Sequence, residues 1–268
     1  MQTVLTIAGY DPSSGAGVTA DLMVFAAHGL FGTSCITALT VQSTIGVLAT
    51  HQVYSEIVRS TLAVLHSDLA PAGIKIGMLT TADNVVAVAD YLTEIRSHSP
   101  KLPVVLDPVL VSTSGRELLE AKGVTVLRER ILPLINWITP NLDELAVLTD
   151  SAVQTRGDLA KAAQKLHEAA PHVNILATGG HLSPPDDLLL MATGGSQWLP
   201  GEQIETSSTH GTGCALSSAL LSRLVLGDAP YPAAMAAKLY VEEALRTATP
   251  LGQGHGPVNH LWPLRRKG

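Results

Sequence analysis

Val4-Leu5-Thr6-Ile7-Ala8-Gly9-Tyr10-Asp11-Pro12-Ser13-Ser14-Gly15-Ala16-Gly17-Val18-Thr19-Ala20-Asp21-Leu22 starts as an apolar run and breaks at a turn rich in glycine and serine. It then resumes as a helical pattern that reaches from about Ala16 to His28. A strand that reads as an apolar run is one covered on both faces. The same beat continues down the chain. Ser34–Val41 precedes a helical pattern near Val53–His66, Gly73–Met78 precedes Ala82–Arg96, and Val104–Leu110 precedes Gly115–Arg130. Ile135–Thr139 precedes Leu142–Leu148, and a helix near Asp158–Ala169 leads into Val173–Ala177. This alternation predicts an α/β fold in three layers, a central, mostly parallel sheet flanked by helices on both faces. Leu188–Ala192 and Gln197–Pro200, separated by Gly194-Gly195, predict an antiparallel hairpin at one edge. Two helices, about Gly213–Leu226 and Ala233–Ala248, close the chain.

At 268 residues the chain suits one large domain, so 1–268 is read as a single unit. Hydrophobic residues make up 46% and aromatics only 4%, which leaves Ala, Val, Leu and Ile to fill the core. A net charge of -6 argues against nucleic acid as a partner. The basic run Arg265-Arg266-Lys267 reads as a solvated tail. Two cysteines, Cys35 and Cys214, make no disulfide framework and point to a reducing compartment. The N-terminus lacks the basic region of a signal peptide. No apolar stretch reaches the roughly 18 residues of a membrane span, so a cytoplasmic protein with no membrane partner is expected.

Ligands of open α/β sheets bind beyond the carboxyl ends of the strands. The first predicted strand delivers Gly9, Asp11 and the Gly/Ser turn there, the second Gln42, the third Gly77 and Met78. The fourth delivers Asp107 and Pro108, the fifth Asn141 with Glu144, the sixth Thr178, Gly179 and Gly180. Turn and capping chemistry account for any one of these, but six in succession favour a site. Asn141 and Glu144 also fit a helix N-cap and capping box. The functional alternative sets Glu144 near a phosphate-bound Mg²⁺, through water.

Gly15-Ala16-Gly17-Val18-Thr19-Ala20 has the form G-x-G-x-x-A of a dinucleotide loop, which also needs an acid about twenty residues on. Asp21 comes too early and Glu56 too late, so an NAD-linked oxidoreductase is disfavoured. No G-x-x-x-x-G-K-[ST] occurs, which excludes a P-loop. Thr209-His210-Gly211-Thr212-Gly213-Cys214 is the sharpest local signal. Its small residues allow a tight turn with exposed N–H groups, and a helix that starts there binds anions. Cys214 would lie in the first turn, where the helix field lowers a thiol pKa. A plain glycine-rich loop with a buried Cys is the alternative for the bare motif. Cys35, inside a predicted strand, reads as core packing.

Taken in order, several segments resemble the hydroxymethylpyrimidine/phosphomethylpyrimidine kinases. They are Leu5-Thr6-Ile7-Ala8-Gly9 through Gly15-Ala16-Gly17, Ala20-Asp21-Leu22, Ile36-Thr37-Ala38-Leu39 with Gln42, and Lys75-Ile76-Gly77-Met78-Leu79. Asp107-Pro108-Val109, Thr139-Pro140-Asn141-Leu142 with Glu144, Gly179-Gly180-His181, Thr209–Cys214 and Gly254–His260 continue the match over nearly the whole chain.

The resemblance implies a ribokinase-like fold, a homodimer, and ATP with Mg²⁺. It implies two phosphoryl transfers on the thiamine pathway, from 4-amino-5-hydroxymethyl-2-methylpyrimidine to its phosphate and then to the diphosphate. Cys214 takes the place of the Asp base of wider relatives, and Gly211, Thr212 and Gly213 would hold the transferring phosphoryl group. Asp107 and Glu144 would lie at Mg²⁺, and Asn141, Thr178, Gly180 and Lys238 on the ATP side. The Gln42 amide, donor and acceptor at once, suits the ring nitrogen and exocyclic amine of an aminopyrimidine. Gly9, Met78 and Val109 would shape the pocket, and Asp21, also on the substrate side, would help order the first loop.

One position departs from the family. Members usually carry Lys before Gly-Gly-His, and this chain has Thr178. A positive charge is lost where charge stabilisation does most of the work, so slower turnover or one weakened step is expected. Lys75 lies before the end of its strand, which argues against it as a substitute. Two rival readings follow. A pyridoxal kinase shares fold and chemistry. A non-catalytic pyrimidine- or nucleotide-binding protein would fit Thr178, but Asp107, Glu144, Cys214 and the anion loop oppose it.

Overall fold

The structure is a computed structural model that describes residues 1–112 and 115–264; the Arg265-Arg266-Lys267 run lies outside the described residues. The chain opens with β1 (Thr3–Tyr10), α1 (Gly17–Ala27), β2 (Phe31–Ser43), β3 (Gly46–Gln52) and α2 (Ser55–Asp68). It continues with β4 (Ile74–Ile76), α3 (Ala82–His98), β5 (Val104–Leu106), α4 (Ala121–Val126), β6 (Trp137–Ile138) and α5 (Leu142–Thr149). Then come α6 (Arg156–Ala169), β7 (Asn174–Ala177), β8 (Asp187–Leu190), β9 (Ser196–Leu199), α7 (Thr212–Val225) and α8 (Pro230–Arg246). The strands form one sheet in the order β3-β2-β1-β4-β5-β6-β7-β8-β9. The pairs from β2 through β7 are parallel, while β3, β8 and β9 run antiparallel at the two edges.

Side-chain alternation along the strands sorts the core into two layers. Leu5, Ile7, Ile74, Ile76, Val104 and Leu106 face α2–α6. Val4, Val105, Trp137, Leu176 and Leu189 face α1, α7 and α8. Each fully buried Val, Leu or Ile contributes about 1.5–3 kcal/mol, so both faces of the short central strands are committed to packing.

The β2 strand runs to one side of β1 and β4 to the other, so the strand order reverses at the carboxyl ends of β1 and β4. That crevice is where doubly wound sheets place their ligands.

Two expectations need correction. The segment Gly46–Gln52, where no element is expected, is the edge strand β3. Its mixed Val-Leu-Ala-Thr-His-Gln run carries no long apolar stretch, because an edge strand on a hairpin is only half covered. The helix expected over Gly115–Arg130 begins only at Ala121. Upstream, Val111 bridges Glu117 and Leu119 bridges Thr80, which holds this stretch extended. The helical path then passes through a wider turn at Leu127–Ile131.

One polar cluster interrupts the layer between the sheet and α1/α7. Lys75, in the middle of β4, has no exposed surface, and its Nζ lies 3.0 Å from both Asp21 oxygens. Asp21 accepts further bonds from Thr6 Oγ1 (2.5 Å) and Ser218 Oγ (2.8 Å). The helix α1 is thereby tied to β1, β4 and α7 through one carboxylate. Burial alone would pull the Lys75 pKa down, but Asp21, Cys214 and Asp107 together hold it up, so the ammonium stays charged. Lys75→Met leaves Asp21 buried without its counter-ion and is expected to cost about 3–5 kcal/mol in urea unfolding. The pair Lys75→Met/Asp21→Leu should recover part of that loss. A single-variant cost under about 1 kcal/mol would show that the ammonium is not the partner holding Asp21.

Candidate active site

Three backbone segments converge on the crevice. The first, Asp11–Gly17, is folded by Asp11, which accepts from Ser13 N (2.8 Å), Ser13 Oγ (2.7 Å) and Ala16 N (2.9 Å). The second is the α7 turn at Gly211, with φ +87°, where an added Cβ would collide with the Gly15 carbonyl oxygen. Only a glycine lets the two turns touch there. The third is the segment after β4. Thr37 Oγ1 fixes the Met78 carbonyl at 2.5 Å, and Met78 Sδ lies 2.9 Å from where a Gly9 Cβ would be. Met78 packs with Ala38, Leu118 and Val109 in a small apolar cluster separate from the main core. Gly9, Met78 and Val109, all read as pocket residues, are therefore brought together.

The helix α7 starts without a side-chain cap. The first N–H groups of a helix have no partner within it, and its N-terminus carries a partial positive charge. Gly213 is exposed, and a Cβ there would lie 3.9 Å from both Asp107 oxygens. Cys214 keeps part of its surface open, and the Gly17 N–H points at its sulfur. The helix field and the Lys75 charge both favour thiolate, yet burial outweighs them and pushes the thiol up to about 12. The expected lowering of this thiol pKa is thus corrected.

Beyond β5 and β6 stand two buried carboxyls. Asp107 accepts from Ser217 Oγ at 3.0 Å and lies 3.7 Å from Lys75 Nζ. Glu144 and Asn141 form the capping box of α5, with both bonds at 2.9 Å. Burial pushes both carboxyls up, and the Asp107 charge drives Glu144 further, well above the ordinary range. Two buried carboxyls that oppose each other's ionisation fit a hard divalent cation, which would relieve the repulsion. Among the described residues no group of three His, Cys, Asp or Glu side chains could hold a metal alone. Two carboxylates plus phosphate oxygens and water are what Mg²⁺ ordinarily takes.

Further along the edge, Gly180 is exposed with open space around it, and Thr178 is half-buried beside it with its N–H bonded to Pro140 O. Lys238, expected on the nucleotide side, instead pairs with Asp187 at 2.8 Å and donates to Pro185 O. The other Asp187 oxygen receives the Gly179 N–H at 2.9 Å, so Lys238 braces the loop rather than offering a free charge. Asp21, expected to order the first loop and to touch substrate, is fully buried in the α1/α7 layer. Asp11 does the ordering instead.

Sequence reading passed over His210 and Lys75. His210 Nε2 lies 2.7 Å from Asp11 Oδ2 and 3.1 Å from Gln42 Nε2, which brings Gln42 to the rim of the α7 turn. Lys75 was dismissed for its place inside a strand. A charged residue within an apolar Ile-Lys-Ile run signals a buried acid elsewhere, and that acid is Asp21.

The phosphomethylpyrimidine kinase family model matches residues 11–259. The hydroxymethylpyrimidine/phosphomethylpyrimidine kinase of Haemophilus influenzae is 37% identical over 99% of this chain and 98% of its own length. The thiamine biosynthesis bifunctional protein ThiED of Geobacter sulfurreducens is 40% identical over 97% of this chain, which spans only 52% of that larger protein. Among solved structures, the pyridoxal kinase of Bacillus subtilis, determined with ADP, superposes with a TM-score of 0.87 at 31% identity and covers 97% of each chain. The phosphomethylpyrimidine kinase of Clostridium difficile superposes with a TM-score of 0.77 at 32% identity, over 91% of this chain and 99% of that one.

A thiol pushed up to about 12 leaves little thiolate at neutral pH. Alkylation of Cys214 by iodoacetamide should therefore rise about tenfold per pH unit, without levelling, to at least about pH 10. Cys35, fully buried and also pushed up to about 12, should stay silent in the folded protein. A plateau near pH 8 would contradict the raised thiol.

Proposed function

Because the chain belongs to the phosphomethylpyrimidine kinase family, we propose that it transfers the γ-phosphoryl group of ATP to 4-amino-5-hydroxymethyl-2-methylpyrimidine, and then a second to the monophosphate, in thiamine biosynthesis. The observation that carries this is the meeting of an uncapped helix N-terminus, two buried carboxyls and a small apolar pocket at one strand-order reversal. ATP with Mg²⁺ supplies the phosphoryl group and neutralises its oxygens.

The residues of the chain position and stabilise. Gly9, Met78 and Val109 hold the aromatic ring, Gln42 reads its edge, and the substrate hydroxyl faces Cys214. The Gly211, Thr212 and Gly213 N–H groups receive the charge that redistributes over the phosphoryl oxygens. Asp107 and Glu144 would hold Mg²⁺, and Asn141, Thr178 and Gly180 line the nucleotide edge. In a loose transition state the hydroxyl proton leaves late, so a thiol that is protonated at rest serves as a placed hydrogen-bond partner to the hydroxyl, and the hydroxyl proton passes to an oxygen of the transferring phosphoryl group as the new O–P bond forms. The protein works in the cytoplasm as a homodimer. Leu39, Val41, Ile45 and Leu48, all 46–77% exposed on the β2–β3 hairpin, supply an apolar patch for a second copy. Pyridoxal is the second candidate substrate, because the B. subtilis pyridoxal kinase shares this architecture over the whole chain.

Incubation with ATP, Mg²⁺ and the hydroxymethylpyrimidine should give a product carrying two phosphates, at a rate above that with pyridoxal. No phosphorylated pyrimidine would end this assignment; faster turnover of pyridoxal would favour the second. Asp107→Asn and Glu144→Gln should each lower kcat/KM by about 10²-fold, with a raised Mg²⁺ requirement. An unchanged requirement in both would remove them from the metal site. Sedimentation at micromolar concentration should give a dimer, and Leu48→Glu should shift it toward monomer.

A further inference from the structure

His210 Nε2 has two partners and one in-plane position to offer them. Asp11 Oδ2 lies 2.7 Å from it and Gln42 Nε2 3.1 Å. Carboxylate and imidazole lone pairs cannot face each other at that distance, so a proton lies between Nε2 and Asp11. Burial alone would raise the Asp11 pKa, but the bonds from His210 and Ser13 hold its carboxyl below the usual range, so the proton belongs to the ring. The short separation is that of a charge-assisted bond.

A protonated Nε2 repels an amide NH₂ group and attracts an amide oxygen. Oxygen and nitrogen of a glutamine amide are assigned only through such networks. The end of the Gln42 amide nearest His210 is therefore its oxygen. We propose that the Asp11–His210 pair is a positioning device that fixes the Gln42 amide with its oxygen at His210 and its NH₂ toward the substrate ring.

The proposal rests on the reading of Gln42 as the group that faces the ring. It makes the rim of the pocket a fixed donor, one lone pair of the amide oxygen being taken by His210. The class selected is a heteroaromatic ring with an unprotonated nitrogen at that edge. A ring with a C–H or N–H there would meet the wrong group. Since an unmatched buried polar group costs more than a matched one gains, orientation acts chiefly by rejecting the wrong ring.

The surroundings keep the device rigid. The His210 ring packs so tightly on the first loop that a Cβ at Gly15 would collide with it. The His210 backbone is pinned on both sides, its N–H to Gly256 O (3.0 Å) and its carbonyl by Val258 N–H (3.1 Å). Asp11 is 3% exposed and held by three further donors. Neither partner has another position to adopt.

The direct measurement is nitrogen NMR of the wild-type protein near pH 7, with His210 assigned through His210→Phe. Nε2 is expected to carry a bonded proton; a bare, lone-pair Nε2 would overturn the proposal whether or not the protein turns over. In kinetics, His210→Phe should raise KM for the aminopyrimidine about tenfold, with the larger part of the loss carried by KM rather than kcat. His210→Gln, which keeps an N–H near the Nε2 position, should restore much of that loss. A loss confined to kcat, or no rescue by Gln, would assign His210 to the chemical step or to packing and sink the proposal. If wild type phosphorylates nothing, the kinase assignment fails while the NMR result still decides the pair.

Discussion

The first loop and the α7 turn touch backbone to backbone. Gly15 O lies against Gly211 where no side chain fits, the Gly17 N–H reaches the Cys214 sulfur, and Asp11 grips His210. His260 Nε2 adds a bond to Gly15 O at 2.9 Å, which ties in the C-terminal segment. Segments some two hundred residues apart in sequence are thus held at contact distance (the Asp11–His210 separation is 199 residues). Everything the crevice does depends on that contact. An anion turn stabilises a moving phosphoryl group only if its N–H groups already point at it, since dipoles that must reorient give back what they contribute. The glycines of the two turns set that direction through backbone shape.

Beneath the contact lies the Lys75–Asp21 pair, and its position explains why a polar cluster was placed in a layer that packing alone would fill with Val and Leu. A buried ion pair is weak evidence for stability, because apolar residues of the same volume often do as well. Asp21, however, joins β1, β4, α1 and α7 through four bonds from Thr6, Lys75 and Ser218. Those elements carry Gly9, Met78, the first loop and the anion turn. An apolar contact would permit sliding between sheet and helices; directed bonds to one carboxylate do not. The pair fixes register more than it adds stability.

Much of this was legible in the sequence, for identifiable reasons. The parallel strands are covered on both faces, so they had to be apolar runs, and their ends had to carry the site. Gly9, Met78, Asp107 and Glu144 were accordingly expected at those ends from position, Val109 from the resemblance, and the structure sets Gly9, Met78 and Val109 together and Asp107 beside the turn before Cys214. What failed was an element only partly covered and whatever depends on burial or on a partner distant in sequence. The strand β3 lacked a signal because only β2 covers it. The fate of Asp21 was hidden because its partner Lys75 is 54 residues away. Lys238 looked like a free cation because Asp187, 51 residues upstream, does not announce itself as its counter-ion. Cys214 was expected to be acidic because the helix field is readable from sequence, whereas the burial that defeats it is not.

The Thr178 departure takes on a different sense in this setting. Lys238 is paired with Asp187 and so offers no free charge at the β7 end. On the other side, the uncapped N-terminus of α7 supplies a positive potential that no carboxylate cap cancels. It is fixed before any ligand arrives. A lysine on a flexible stem gives up side-chain entropy, about 2 kcal/mol at most, to hold a phosphate. Backbone N–H groups lose nothing comparable, because folding has already ordered them.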